Sequence, residues 1–283
     1  MFLDAAAIPD LMRLVTAEST QTLKKIDGVE ISLTACLFLA LACHNADAAL
    51  QKSSNHGVVL PQVAGLKSAI RCLNRREPQI SSKPFGAPSF DLYRISSRAD
   101  LLSEEWILFY DRFYRSTAGG RNSRVLKGIS GVLAEMGDNV LWHSTSSKEQ
   151  ECLGIAGFHV AADAAAFCVA DHGQGFLNSL RRNPRWSHLR TEDEALGAIV
   201  YQKATSRSDE ETGGGFTHLF ENLLDFNGLV VLRSGNCTYR LENNKGLQPR
   251  LTKHIAGTVP GSSITVVIGR GGHIPTEKPL NLL

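Results

Sequence analysis

Two apolar runs set close together, Leu153 to Ala161 and Ala165 to Ala170, do most to restrict what this chain can fold into. Only a few residues around Asp163 separate them, so the spacing predicts a β-hairpin. The second run ends in Asp171-His172-Gly173-Gln174-Gly175-Phe176. This places a carboxylate at a strand end, followed by two alternate glycines whose bare backbone a ligand can approach closely. Upstream, apolar residues at Val125, Ile129, Val132, Met136 and Val140 predict a long helix from about Arg121 to Ser144. Phe90 to Ser96 alternates like a strand. Downstream come helical patterns at Leu177 to Arg182 and Glu192 to Ala204, then a loop rich in glycine and acid, Ser206 to Gly215. A helix from Phe216 to Phe226, a turn at Asn227-Gly228 and strands at Leu229 to Leu232, Cys237 to Leu241 and Ile264 to Ile268 complete the pattern. Helices and antiparallel strands segregated in this way imply an α+β, two-layer α/β sandwich.

Ahead of this lies a smaller unit. Residues 1–80 alternate helical and strand-like patterns, with Pro9 and Pro61 placed to open helices, and predict a small α/β regulatory or interaction subdomain. Three prolines, a glycine and several serines within residues 76–90 mark a seam, giving a linker over 81–92, a main domain over 93–272 and a tail over 273–283. The balance of 30 basic and 28 acidic residues gives no nucleic-acid signal, because such partners select a strong basic excess. The most apolar run, Leu33 to Cys43, is too short to span a bilayer, and the N-terminus lacks a basic leader region. Cys36, Cys43, Cys72, Cys152, Cys168 and Cys237 are scattered with no C-x-x-C pair, which reads as reduced core thiols in a cytoplasmic protein.

Three segments carry chemistry. On the long helix, Glu135, Asn139 and His143 are spaced i, i+4, i+8 and border the stripe of Val132, Met136 and Val140, so a carboxylate and an amide lie at a partly desolvated edge. Asp171 with Gly173 and Gly175 forms the second segment; Asn178 stands where a dinucleotide fingerprint needs its third glycine. The third is Gly213-Gly214-Gly215 directly before Phe216, where free N–H groups and the helix dipole favour an anion. No Walker-type phosphate loop occurs in the chain.

In this order, E-x-x-x-N on a helix, D-x-G-x-G after a strand and a glycine box before a helix, the chain resembles the GHKL superfamily of histidine kinase-like ATP-binding domains over about residues 90–270. The resemblance implies a Bergerat-type fold that binds ATP with magnesium. It implies that Asn139 ligates the magnesium, that Glu135 orients or activates water, and that Asp171 accepts a hydrogen bond from the adenine amino group, with Gly173 and Gly175 clearing space beside the base. Gly213, Gly214 and Gly215 would belong to the ATP lid, and Gly261-Ser262 resembles a glycine-threonine pair on a closing strand. The pattern departs from the family at Thr217, where a further lid glycine usually stands, and in the acidic run Asp209, Glu210, Glu211.

One fold hosts many functions. His44, the upstream helical histidine, lacks the acidic residue expected after a phosphoacceptor, and only about 15 residues follow Ile268, too few for a transducer domain. Two expectations result. One is a stand-alone ATPase or serine/threonine protein kinase in the manner of anti-sigma factor kinases, with residues 1–80 faintly similar to STAS domains. The other is a non-catalytic switch in which ATP changes contact with a regulatory protein partner. Oligomeric state is left open by the sequence.

Overall fold

The two apolar runs pair as expected. In this computed structural model, which describes residues 66–75, 78–80, 89–117, 123–143, 152–160, 164–206, 216, 219–220, 228–242 and 250–269, β2 (Gly154–Val160) and β3 (Ala164–Asp171) run antiparallel with Phe158 opposite Phe167. They form the middle of a five-stranded sheet ordered β1-β2-β3-β5-β4, antiparallel throughout, with β1 at Ser89–Ile95, β4 at Gly228–Glu242 and β5 at Arg250–Gly269. The class is α+β. Among the described residues no helix is long and apolar enough to cross a membrane.

Strand alternation gives the sheet two unlike faces. The front face presents Tyr93, Phe158, Phe167 and Val266 to a layer of helices: α3 (Glu104–Thr117), α4 (Ser123–His143), α5 (Gly175–Leu180) and α6 (Glu192–Gln202). The rear face presents Gly157, Ala166, Cys168 and Thr265. One described helix, α1 (Leu66–Arg75), meets the sheet at β1, where Arg94 Nη1 donates to Leu73 O at 3.1 Å.

The helix α3, together with the short α2 (Arg98–Leu101), has no counterpart in the sequence reading. Its start is nevertheless chemically clear: Trp106 N donates to Ser103 Oγ at 3.1 Å, and Glu104 and Glu105 lie in the first turn, where the dipole favours them. Trp106, Phe109 and Phe113 face inward at helical spacing, and the rings of Phe109 and Phe113 pack tilted against Phe158 with centroids 5.0 and 5.5 Å away. Beneath them Arg112 and Asp91 form a buried ion pair at 2.6 Å.

The last strands also differ from expectation. Leu229 to Leu232 and Cys237 to Leu241 belong to one strand, and Ile264 to Ile268 is the end of a 20-residue strand. Gly235, at φ +55°, and the Pro260-Gly261 pair lie where the register shifts from Ser234–Ser262 to Gly235–Val259. Here glycine and proline make a bulge and pairing resumes beyond it. At the other end β1 starts at Ser89, within the stretch expected as linker, and Gln79 already bridges to Leu92. Of the expected subdomain over residues 1–80, residues 1–65 lie outside the described residues, as does the expected tail over 273–283.

Candidate functional site

Asp171 ends β3, the central strand of the five, between Gly154 of β2 and Ser262 of β5. It is buried, yet its carboxylate is held on both sides: Oδ1 accepts from Gly173 N at 2.7 Å, and Oδ2 accepts from Ser262 Oγ. Burial pushes its carboxyl up from 3.8 to about 6, with the hydrogen bonds from Ser262 and Gly173 acting the other way. Gly261 makes this arrangement sterically feasible. Its φ is +89°, and a Cβ there would overlap the carbonyl of Asp171.

The helix carrying Glu135 and Asn139 is brought to the same end of the sheet by another glycine. A Cβ on Gly154 would collide with Val140, so the bare residue lets α4 settle directly on the strand facing Asp171. Val132, Met136 and Val140 are buried in the core, and Glu135 and Asn139 are half-buried at its border, as their spacing predicts. Asn139 Nδ2 lies 3.7 Å from Met136 Sδ, while its amide oxygen accepts no hydrogen bond from any described residue. That leaves a hard oxygen donor available to a divalent cation. Between them Asp138 pairs with Arg98 of α2 at 2.8 Å, and Gly137 packs against Trp106. His143 ends α4, and its side chain lies outside the described residues. No group of three or more His, Cys, Asp or Glu side chains among the described residues is arranged to hold a metal by itself.

Gly173 is half-buried and donates its N–H to Asp171. Gly175 has a different role from that expected. At φ +76°, a Cβ there would come within 2.8 Å of Ser234 Oγ and 2.9 Å of Glu192 Oε1, so its bareness accommodates the protein's own side chains. Those two groups also cap the start of α5: Phe176 N donates to Ser234 Oγ at 2.7 Å and Leu177 N to Glu192 Oε2 at 3.2 Å. Burial pushes the Glu192 carboxyl up, opposed by Ser234, Leu177 and Arg181. The N–H groups after D-x-G-x-G are thus used internally, and phosphate would have to be met by other donors.

Gly213, Gly214 and Gly215 lie outside the described residues. Immediately after them Phe216 meets Phe176 edge-on with centroids 5.6 Å apart, and Leu219 is buried in the front core. Phe216, the residue that follows the glycine box in sequence, is thus held against the helix that follows Asp171. Glu192 and Ser234 were missed by sequence reasoning; Ser234 is 58 residues from the N–H it caps, and no local pattern signals such a contact. A further tie, Tyr239 OH donating to Asp193 Oδ1 at 2.6 Å, fastens the β4 ribbon to α6. Comparison with protein-family models and with curated proteins finds no match.

Proposed function

We propose that the chain is a Mg-ATP-binding regulatory protein of the histidine kinase-like ATPase type, acting as a stand-alone ATPase or protein kinase. The observation that carries this reading is convergence. The Glu135–Asn139 helix, the Asp171 strand end and the anchor after the glycine box meet at one end of an antiparallel sheet, although up to 81 residues separate them. In this reading the buried carboxylate of Asp171 accepts from the adenine amino group, the face of Gly173 lies along the base, and the open amide oxygen of Asn139 ligates magnesium. Magnesium supplies charge neutralisation for the phosphates, and Glu135, at the border of the core, orients the attacking water or hydroxyl. The four described cysteines are buried and in no disulfide, which suits a reducing cytoplasm.

Calorimetric titration with Mg-ADP tests the reading. Wild type is expected to bind and Asp171→Asn to lose binding; no heat from either protein overturns it. A second reading, a switch without turnover, is favoured by the Phe176–Phe216 contact, which joins the helix after the base motif to the lid's end and gives binding a route to a partner surface. Phosphate release that stops in Glu135→Ala with nucleotide affinity intact favours the enzyme. Absence of turnover in wild type at saturating Mg-ATP favours the switch.

A further inference from the structure

Asp171 holds only the first half of the loop that follows it. His172 N donates to Leu153 O at 3.0 Å and Gly173 N to Asp171 Oδ1 at 2.7 Å, so the chain is fixed as far as Gly173. Beyond that point the backbone turns through Gly175 into α5, and Gln174, in the N-cap position, supplies no side-chain cap. The leading N–H groups are taken instead by distant residues, Phe176 N by Ser234 Oγ at 2.7 Å and Leu177 N by Glu192 Oε2 at 3.2 Å. The Ser234 hydroxyl in turn donates to the Glu192 carboxylate. One carboxylate thus gathers α5, α6 and β4.

We infer that Glu192 is the positioning residue for residues 173–177, the segment along which the proposed base site lies. Its consequence for nucleotide rests on the proposed function; its hold on the loop does not. Three observations carry the inference. First, α6 does not need this side chain for its own start. Glu194 N donates to Thr191 Oγ1 at 3.2 Å and Thr191 N to Glu194 Oε2 at 3.1 Å, which caps the helix, so Glu192 in the same turn is left to serve α5. The turn itself is fastened to β4 by Tyr239 OH donating to Asp193 Oδ1 at 2.6 Å. Second, the backbone makes room for it. A Cβ on Gly175 would come 2.9 Å from Glu192 Oε1, and one on Gly235 2.9 Å from Glu192 Cγ. The third described glycine with positive φ, Gly261, clears the Asp171 carbonyl, so all three stand beside Asp171 or Glu192. Third, Ser234 and Ser262, which hold Glu192 and Asp171, are direct partners across β4 and β5. Both halves of the loop are therefore referred to the same point of the sheet. A carboxylate suits this task because it only accepts, and bonds to an ionised acceptor are about twice as strong as neutral ones.

Native-state amide hydrogen exchange on the full chain, read residue by residue without nucleotide, tests the inference. Glu192→Ala is expected to speed exchange at Phe176 and Leu177 by at least about tenfold, while Phe158 and Phe167 in the middle of the sheet exchange as in wild type. Glu192→Gln keeps the size and an acceptor oxygen, and should restore most of the protection at Leu177. Equal acceleration at all four amides would mark Glu192 as a general stabiliser and overturn the inference, as would wild-type exchange at Phe176 and Leu177. Should circular dichroism show Glu192→Ala unfolded, Ser234→Ala takes its place, with faster exchange at Phe176 expected and unchanged exchange overturning the inference. Titration with Mg-ADP separates this from the proposed function. Where wild type binds, Glu192→Ala should weaken affinity several-fold and Glu192→Gln much less; unchanged affinity beside a loosened loop overturns the role of Glu192 at the base site. No heat from wild type overturns the proposed function alone, and the exchange result still decides what holds the loop.

Discussion

The two faces of the sheet solve burial differently. The front is sealed by large rings from both layers: Phe109, Phe113, Phe158 and Phe167 are fully buried, with Phe113 and Phe167 edge-on at 5.4 Å. Such interdigitation fixes each helix in register, and with it the position of α4 against the strand that ends at Asp171. The rear has little to interlock. Its Gly157, Ala166, Cys168 and Ala170 offer no rings, and the apolar cluster there is the small one of Ala166, Leu229, Val267 and Val231.

Breaking the contrast at its tightest point is expected to cost most. Gly261→Val combines a left-handed backbone with a collision against the Asp171 carbonyl, and should destabilise the protein by at least about 4 kcal/mol in chemical denaturation. Phe158→Ala, in the middle of the front ring cluster, should cost about 3–5 kcal/mol by the same measurement. On the rear, Val267→Ala should cost only about 1.5 kcal/mol. Equal losses at Phe158 and Val267 would remove the distinction between the faces.

Asp171 sharpens the comparison through pH. Its carboxyl is raised from 3.8 to about 6, so the native state holds the proton more tightly than the unfolded chain. This group's contribution to stability is therefore full below about pH 3.8 and declines as pH rises to about 6. Asp171→Asn should flatten that part of the stability–pH curve. On the proposed function, the same substitution weakens Mg-ADP binding by at least about tenfold, roughly 1.4 kcal/mol. Wild-type affinity should rise through pH 6, because an amino donor prefers the ionised carboxylate. An affinity independent of pH from 5 to 7 would separate Asp171 from the base. The smallest effect is expected at Arg98→Ala. Its pair with Asp138 is exposed, with the two side chains 64% and 40% accessible, so stability should change by under about 0.5 kcal/mol.

Much of the sheet was legible because its strands alternate or run apolar over seven or eight residues, and α4 because five apolar positions repeat at helical spacing. The α3 helix was not read, since its inward Trp106, Phe109 and Phe113 are mixed with outward Ile107 and Leu108, which are 60% and 47% exposed and blur the stripe. The ribbon of β4 and β5 was divided at Gly235 and Pro260 because locally those residues look like stops; only pairing with a partner strand makes them a bulge. In the candidate site, Asp171, Glu135 and Asn139 are singled out by local motifs. Glu192 and Ser234 owe their positions to packing across the fold, and Gly175 acquires its meaning only beside them.

The bond from Ser262 to Asp171 closes 91 residues of chain. During synthesis, then, every residue that faces the candidate base site before Ser262 emerges without the strand that completes it. The carboxylate of Asp171 waits beside an open sheet edge until β5 arrives between β3 and β4. Contacts so distant in sequence form slowly, and until β5 pairs with it β3 presents an unpaired edge. This makes the interval before β5 inserts the period when the nascent chain is most dependent on protection from aggregation.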